Sequence, residues 1–247
     1  MNAIILAAGR GSRMQHLSAE QPKCLTEVEG RALLDWQITA LTNALITEIG
    51  IVTGYRRELL ATRGLREFHN ERWAETNMVS SLACAEEWIT AGPCIVSYAD
   101  IFYRAEPVRA LMNSEARLAV TFDPDWRRLW EERFGDPLQD AETFRLKPDG
   151  TLAEIGQRPT SLDDVEGQYM GLLRFTPKGW AEMDRLRQAL TPEVRDRSHM
   201  TGMLQRVIEA GRVPVGAIAA TGPWGEIDTA EDLAVYRRRP AGLTDRQ

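Results

Sequence analysis

Ala3-Ile4-Ile5-Leu6-Ala7 is an unbroken apolar run, the pattern of a strand covered on both faces of a parallel sheet. Beyond a polar loop the period changes: Leu33, Leu34, Ile38, Leu41 and Leu45 mark one buried face of a helix over residues 31–45. Ile49-Gly50-Ile51-Val52-Thr53, closed by Gly54, reads as a second buried strand. Residues 58–65 suggest a short helix, Phe68 a brief extended piece leading to Asn77, and 79–89 a helix bounded by Gly92-Pro93. Cys94-Ile95-Val96-Ser97-Tyr98 is a third strand ending at Asp100, followed by a helix over 106–113 and a strand over 118–122. Strands alternating with helices predict an α/β fold with a mostly parallel, doubly wound sheet that takes its ligands at the carboxyl ends of the strands.

The alternation breaks over residues 123–167. Trp126-Arg127-Arg128-Leu129-Trp130, Phe134-Gly135-Asp136-Pro137-Leu138 and Phe144-Arg145-Leu146 lead into Lys147-Pro148-Asp149-Gly150, where Pro and Gly suit the centre of a hairpin turn. The stretch is too short for a domain of its own. It reads as a small antiparallel lobe inserted into a single domain of 1–247, lying over the active site. Strand character returns over 169–175, helices follow over 177–190 and 201–210, then a strand over 213–219 and a helix over 229–236 capped by Thr229. The tail 237–247 is basic, then polar, and is expected to fray.

Composition narrows the class. A chain of 247 residues with 43% hydrophobic and 27% charged residues has the make-up of a soluble globular enzyme. A formal net charge of −6 argues against nucleic acid as a partner, which calls for a basic face. No apolar run approaches the roughly 20 residues of a membrane span. The first strand has no basic leader, so no secretory signal is expected. Cys24, Cys84 and Cys94 are odd in number and lack zinc spacing, which suits a reducing cytoplasm.

The candidate chemistry starts at Leu6-Ala7-Ala8-Gly9-Arg10-Gly11-Ser12-Arg13-Met14 with Pro22-Lys23 behind it. Glycines let backbone N–H groups approach a phosphate, arginine adds charge-assisted hydrogen bonds, and Lys23 adds a displaced positive point. The dinucleotide fingerprint would need a third glycine where Met14 stands, and a P-loop would need Gly-Lys-Ser/Thr; neither is present. Asp100, at the end of a central strand, and Asp228, in Gly225-Glu226-Ile227-Asp228-Thr229 before a helix, are each either a cation ligand or a cap. His16, His69 and His199 read as surface or structural groups, and no Ser-His-Asp or Cys-His arrangement is apparent.

With Gly-x-Gly-Ser-Arg, a short spacer and Pro-Lys in place, the chain resembles nucleotidyltransferases of the sugar-phosphate and cytidylyl type, over nearly its whole length. The resemblance implies a three-layer α/β/α, Rossmann-like nucleotidyltransferase fold and a Mg²⁺-dependent transfer that releases pyrophosphate. It implies that Arg13 and Lys23 carry catalysis, that Leu6, Ala8, Gly9, Gly11, Ser12, Arg13 and Lys23 hold the nucleotide, and that Asp100 and Asp228 hold the metal. Asn77-Met78-Val79-Ser80-Ser81-Leu82 reads bottom-up as a helix cap. It is also similar to the nucleotide-reading segment of the small phosphocholine and 2-aminoethylphosphonate cytidylyltransferases, which makes Asn77 and Ser81 base or ribose contacts. Gln15, Glu20 and the backbone of residues 6–8 are further candidates for the same contacts. The Gly-Thr-Ala-type segment of sugar-transferring relatives is absent, which favours CTP over UTP or dTTP.

For the acceptor, the lobe and its neighbours offer Tyr98, Trp130, Asp140, Glu142, Gln168, Tyr169 and Thr201. Aromatic faces or carboxylates would hold an amine or trimethylammonium head, Gly167 and Gly171 flank a close-approach segment, and Thr201 opens a helix near an acceptor phosphate. Tyr103 and Asp136 are further members of that set. The expected function is therefore cytidylyl transfer from CTP to a small phosphate or phosphonate acceptor such as phosphocholine or 2-aminoethylphosphonate, in the cytoplasm. An exposed lobe edge would allow a homodimer. The alternatives are a sugar-1-phosphate nucleotidyltransferase, which would need groups for hydroxyls, and a non-catalytic nucleotide-binding module, which would be expected to lack Lys23, Asp100 or Asp228.

Overall fold

Residues 1–11, 20–220 and 222–238 are described by the computed structural model. Strand β1 (Asn2–Ala7) runs into the glycine loop, and the chain resumes in a 3-10 turn (Lys23–Leu25) and the short hairpin of β2 (Glu27–Val28) and β3 (Arg31–Ala32). Helix α1 (Leu33–Asn43) is shorter than its apolar spacing suggests. Arg31 and Ala32 pair with the preceding strand, and Leu45 sits at φ 67° with 85% of its surface exposed. Strand β4 (Glu48–Thr53) leads to two 3-10 turns where a helix over 58–65 was expected. Arg56 (φ 51°) and Gly64 (φ 67°) are both left-handed and confine the chain to single turns.

Strand β5 (Arg66–His69) precedes α2 (Met78–Ala83) and α3 (Glu86–Ala91), which replace the one helix expected over 79–89. The break falls at Ala85, whose φ −105° and ψ 20° leave the helical region. Next come β6 (Cys94–Tyr98), β7 (Ile101–Tyr103), α4 (Ala105–Met112) and β8 (Leu118–Asp123). Residues 123–167 hold α5 (Trp126–Phe134) and an antiparallel hairpin of β9 (Phe144–Leu146) and β10 (Leu152–Ile155). The hairpin turn forms as its residues predict: the Gly150 amide donates to the Lys147 carbonyl at 2.9 Å, with Gly150 at φ 78°. The chain continues through β11 (Gln168–Phe175), α6 (Pro177–Gln188), α7 (Pro192–Asp196), α8 (Met200–Ala210), β12 (Val215–Ala219), β13 (Trp224–Glu226) and α9 (Ala230–Arg238).

The main sheet orders its seven strands β12-β8-β11-β6-β1-β4-β5. All pairs are parallel except those of β11, which runs against both β6 and β8. A parallel return needs a crossover element. Between β8 and β11 the chain forms α5 and the β9–β10 hairpin and then returns antiparallel beside β8.

Alternation along β1 explains the layering. Ala3, Ile5 and Ala7 share a core with Leu33, Leu41, Val108, Leu111 and Leu233, whereas Ile4 and Ala8 pack with Val79, Leu82, Met183 and Leu204. Helices therefore cover both faces, the three-layer arrangement that the continuous apolar strands require. Each fully buried leucine here contributes about 1.5–3 kcal/mol relative to exposure. No described helix is long and apolar enough to cross a membrane.

Candidate active site

Three chain segments meet at the carboxyl ends of β1 and β6. The 3-10 turn that starts at Lys23 follows Pro22, and Cys24 beneath it is buried, which plants Lys23 against the glycine loop. Gly11 is at φ 68°, and a Cβ there would lie 3.0 Å from the Cβ of Lys23. Only glycine lets the loop and the lysine stem approach this closely without strain. The Asp100 turn is held by Gln37, a fully buried side chain whose Nε2 donates to the Tyr98 carbonyl at 2.9 Å and the Ile101 carbonyl at 2.5 Å. Strand β13 runs antiparallel to β7, with Glu226 opposite Ile101, and the Ile227 amide donates to the Asp100 carbonyl at 2.9 Å. Asp228 is thereby brought to Asp100 across most of the sequence.

Lys23 Nζ bridges the pair, 2.8 Å from Asp100 Oδ2 and 2.6 Å from Asp228 Oδ1. Burial opposes its charge, but the carboxylates of Asp100, Asp228 and Glu226 outweigh this and hold its pKa above the ordinary lysine value. Asp100, Glu226 and Asp228 each offer an oxygen within 4.8 Å of the others. Burial, and then the neighbouring Asp228, push the Glu226 carboxyl well above the usual carboxylate range, with the Arg133 guanidinium opposing. Asp100 Oδ1 is buried with no hydrogen-bond partner. Three hard oxygen donors, one with an unused buried acceptor, fit Mg²⁺ rather than a soft metal.

Two cavities open on this charged wall. The first, of about 270 Å³, is lined by Leu6, Ala8, Gly9, Gly11, Lys23, Asn77, Ser81 and Asp100, and also by Trp73, Thr76 and Met78. The second, of about 170 Å³, is lined by Tyr98, Asp140, Glu142, Gln168, Tyr169 and Thr201 together with Glu226, Asp228 and His199. Met78 and Tyr98 belong to both. Of the described residues predicted from sequence, Leu6, Ala8, Gly9, Gly11, Lys23, Asn77 and Ser81 thus gather in the first cavity and Tyr98, Asp140, Glu142, Gln168, Tyr169 and Thr201 in the second, whereas Trp130, Tyr103 and Asp136 line neither. Ser12 and Arg13, and with them Gln15 and His16, lie outside the described residues.

Trp130, Tyr103 and Asp136 are corrected here, Trp130 first. It is fully buried, stacked on Trp224 at 6.2 Å and lying beside Arg133. The apolar face of α5, made by Trp126, Leu129 and Trp130, points into the core rather than into the cavity. Tyr103 is likewise buried and donates to Ser97 Oγ at 3.0 Å, and Asp136 caps a 3-10 turn by accepting the Leu138 amide at 3.0 Å.

Asn77 does cap α2, its Oδ1 accepting the Met78 amide at 2.7 Å, while Ser81 Oγ accepts from Asn70 Nδ2 at 3.0 Å. Thr229 and Asp232 form a reciprocal cap on α9: the Asp232 amide donates to Thr229 Oγ1 at 3.3 Å and the Thr229 amide to Asp232 Oδ2 at 2.8 Å. His199, read from sequence as surface or structural, lies on the second cavity and contacts Asn77 Nδ2 at 3.1 Å. Glu226 escaped the sequence reading although it stands two residues before Asp228. The alternation of Glu226, Ile227 and Asp228, which turns both carboxylates to one side of an extended segment, was the available signal.

A glycine loop at a strand end and a second, acidic cavity that share one charged wall place the protein among the nucleotidyltransferases. Residues 3–170 match the MobA-like NTP transferase domain, and the chain belongs to that family. It is 36% identical to the CTP:phosphoglutamine cytidylyltransferase of Campylobacter jejuni over 95% of this chain and 98% of that protein. A shorter stretch, 43% of this chain and 46% of the relative, is 32% identical to the 2-aminoethylphosphonate cytidylyltransferase of Lancefieldella rimae. The choline-phosphate cytidylyltransferase of Streptococcus pneumoniae is 36% identical over 35% of this chain and 40% of its own. The solved inositol-1-phosphate CTP transferase of T. maritima superposes with a TM-score of 0.75 at 16% identity, over 96% of this chain and 95% of that one, which shows a shared fold.

Proposed function

We propose that this protein transfers CMP from CTP to a small phosphorylated or phosphonate acceptor with an amine-bearing head, releasing pyrophosphate, with Mg²⁺ as its cofactor. The observation that carries this reading is the pair of cavities meeting at Lys23 and the carboxylates. The glycine loop offers backbone N–H groups to the triphosphate, and the Lys23 ammonium offsets charge where it grows on the α-phosphate. An acceptor phosphate oxygen forms the new bond to the α-phosphorus while the bond from that phosphorus to the oxygen of the leaving pyrophosphate breaks. That oxygen is already ionised at neutral pH, so no side chain has to remove a proton. The wall aligns the two reactants, which is the larger share of the catalytic task in such a displacement. Asp100, Glu226 and Asp228 would hold Mg²⁺, which when bound neutralises phosphate charge.

The named relatives that use CTP support the choice of nucleotide. The head-group preference rests on the second cavity, whose described lining includes Asp140, Glu142, Glu226 and Asp228 and no lysine or arginine. Its aromatic rings, Tyr98 and Tyr169, meet edge to face at 5.8 Å and 89°, unlike the open faces of a trimethylammonium cage. Carboxylates suit an ammonium that has N–H groups to donate. The test fixes CTP and Mg²⁺ and compares phosphoethanolamine, phosphocholine, 2-aminoethylphosphonate, phosphoglutamine and glucose-1-phosphate by pyrophosphate release. Turnover is expected with primary-amine acceptors, and Glu142→Gln should raise their KM. Turnover with glucose-1-phosphate alone would move the protein to the sugar-phosphate class.

A further inference from the structure

Among the described residues Arg133 is the most enclosed cation near the site, its side chain wholly inaccessible to solvent. It projects from α5, in the segment between β8 and β11, and reaches the C-terminal part of the chain. Its fork engages Asp232 side-on, Nε donating to Oδ1 at 2.8 Å and Nη2 to Oδ2 at 3.2 Å. Its outer edge lies beside the other two carboxylates: Nη1 donates to Glu226 Oε2 at 3.4 Å, and Nη2 stands 3.6 Å from Asp228 Oδ2. Trp130 and Phe134 flank the guanidinium at 4.7 and 4.8 Å, which excludes water and fixes the plane of the fork. Asp232, so held, accepts the Asp228 and Thr229 amides, each at 2.8 Å.

We infer that Arg133 is a positioning residue of the transfer reaction, which sets the Glu226 and Asp228 carboxylates in register with Asp100. The inference rests on reading those three carboxylates as the cation-holding group. One guanidinium acts on the pair twice, through space on their oxygens and through Asp232 on the backbone of residue 228. A residue that served only to neutralise Asp232 would have no need to touch two further carboxylates. The planar fork also matters, because a lysine in this place could make one of the contacts and not all of them. Outer partners that orient metal-holding carboxylates typically change metal affinity or activity by about 10–100-fold when removed.

The test compares wild type, R133K, R133M and R133M/D232N in three readouts: thermal unfolding, kcat for pyrophosphate release, and Mn²⁺ affinity of the CTP-loaded enzyme by electron paramagnetic resonance. R133M leaves buried carboxylates without their partner and should unfold at lower temperature. Neutralising Asp232 in the double variant should recover much of that stability. Both kcat and Mn²⁺ affinity should stay about 10–100-fold down in the double variant, with KM for CTP little changed and R133K intermediate. Recovery of kcat and Mn²⁺ affinity along with stability would overturn the inference and leave Arg133 a counter-ion for Asp232. If R133M fails to fold, R133K and the double variant carry the comparison. Wild-type enzyme that binds no Mn²⁺, or Asp100→Asn at full activity, would instead refute the cation-holding reading, and the inference with it.

Discussion

Lys23 is placed so that its ammonium is shared by Asp100 and Asp228, with its stem against Gly11. Lys23→Ala should lower kcat by about 10²–10³-fold, the usual cost of removing a group that stabilises developing charge, while circular dichroism shows the fold intact. Gly11→Ala should cost about 1–2 kcal/mol for a left-handed residue with a Cβ and reduce turnover by shifting Lys23, measurable by urea unfolding and initial rates. At this scale the sequence was most legible where a residue type and a strand end coincide. Lys23, Asp100 and Asp228 could be singled out because a glycine loop, a central strand end and a helix start pointed to them, while the choice of cation ligand over cap for the two aspartates came only from the family resemblance. Glu226 was passed over although its alternation with Asp228 was legible, because what brings it beside Asp100 is the pairing of β13 with β7, a contact between distant segments. Trp130 was misread for the same reason: an aromatic near a loop says nothing of which side of its helix faces the core.

At the scale of elements, β11 shows what local pattern cannot supply. Its apolar character was readable but its direction was not: α5 and the β9–β10 hairpin lie between β8 and β11, and the strand returns antiparallel. Its register shifts between Tyr169 and Leu173, where Gly171 adopts φ 75° and a Cβ would come 2.8 Å from Tyr98 Cδ2. Where two flanking glycines suggested close backbone approach to a ligand, the strand has a bulge against Tyr98, a residue of both cavities. Gly171→Ala should destabilise by about 1–3 kcal/mol through overpacking and also impair acceptor use, seen together in denaturant midpoint and acceptor KM. On the edge strand β5, the Arg57 guanidinium and the Thr53 hydroxyl hold Glu67 below its ordinary value of 4.5. A lowered carboxyl stabilises the fold above its unfolded pKa, and the gain is lost as pH falls through the folded pKa. Wild type should therefore exceed Glu67→Gln by less than about 1 kcal/mol at neutral pH, and the difference should vanish in acid, as read by paired urea titrations. A wild-type advantage that grew in acid would reverse the sign and refute the assignment.

For the molecule as a whole, the alternation of apolar runs was enough to anticipate a layered, mostly parallel sheet with chemistry at its strand ends. The paired cavities were not foreseeable as shapes, because they form where the glycine loop, α2, β11, the start of α8 and β13 converge. Their sharing of one charged wall supports transfer between two bound reactants rather than simple storage of a nucleotide. Chelation by EDTA should abolish activity and added Mg²⁺ should restore it, measured as initial rate; activity that survives chelation would refute the cation assignment. The most direct test of cytidylyl transfer crosses CTP, UTP, ATP and GTP with the amine-bearing acceptors and with glucose-1-phosphate in Mg²⁺ and measures pyrophosphate. The account predicts release only when CTP and an acceptor are both present. Release with UTP and glucose-1-phosphate, or release that ignores the acceptor, would contradict it.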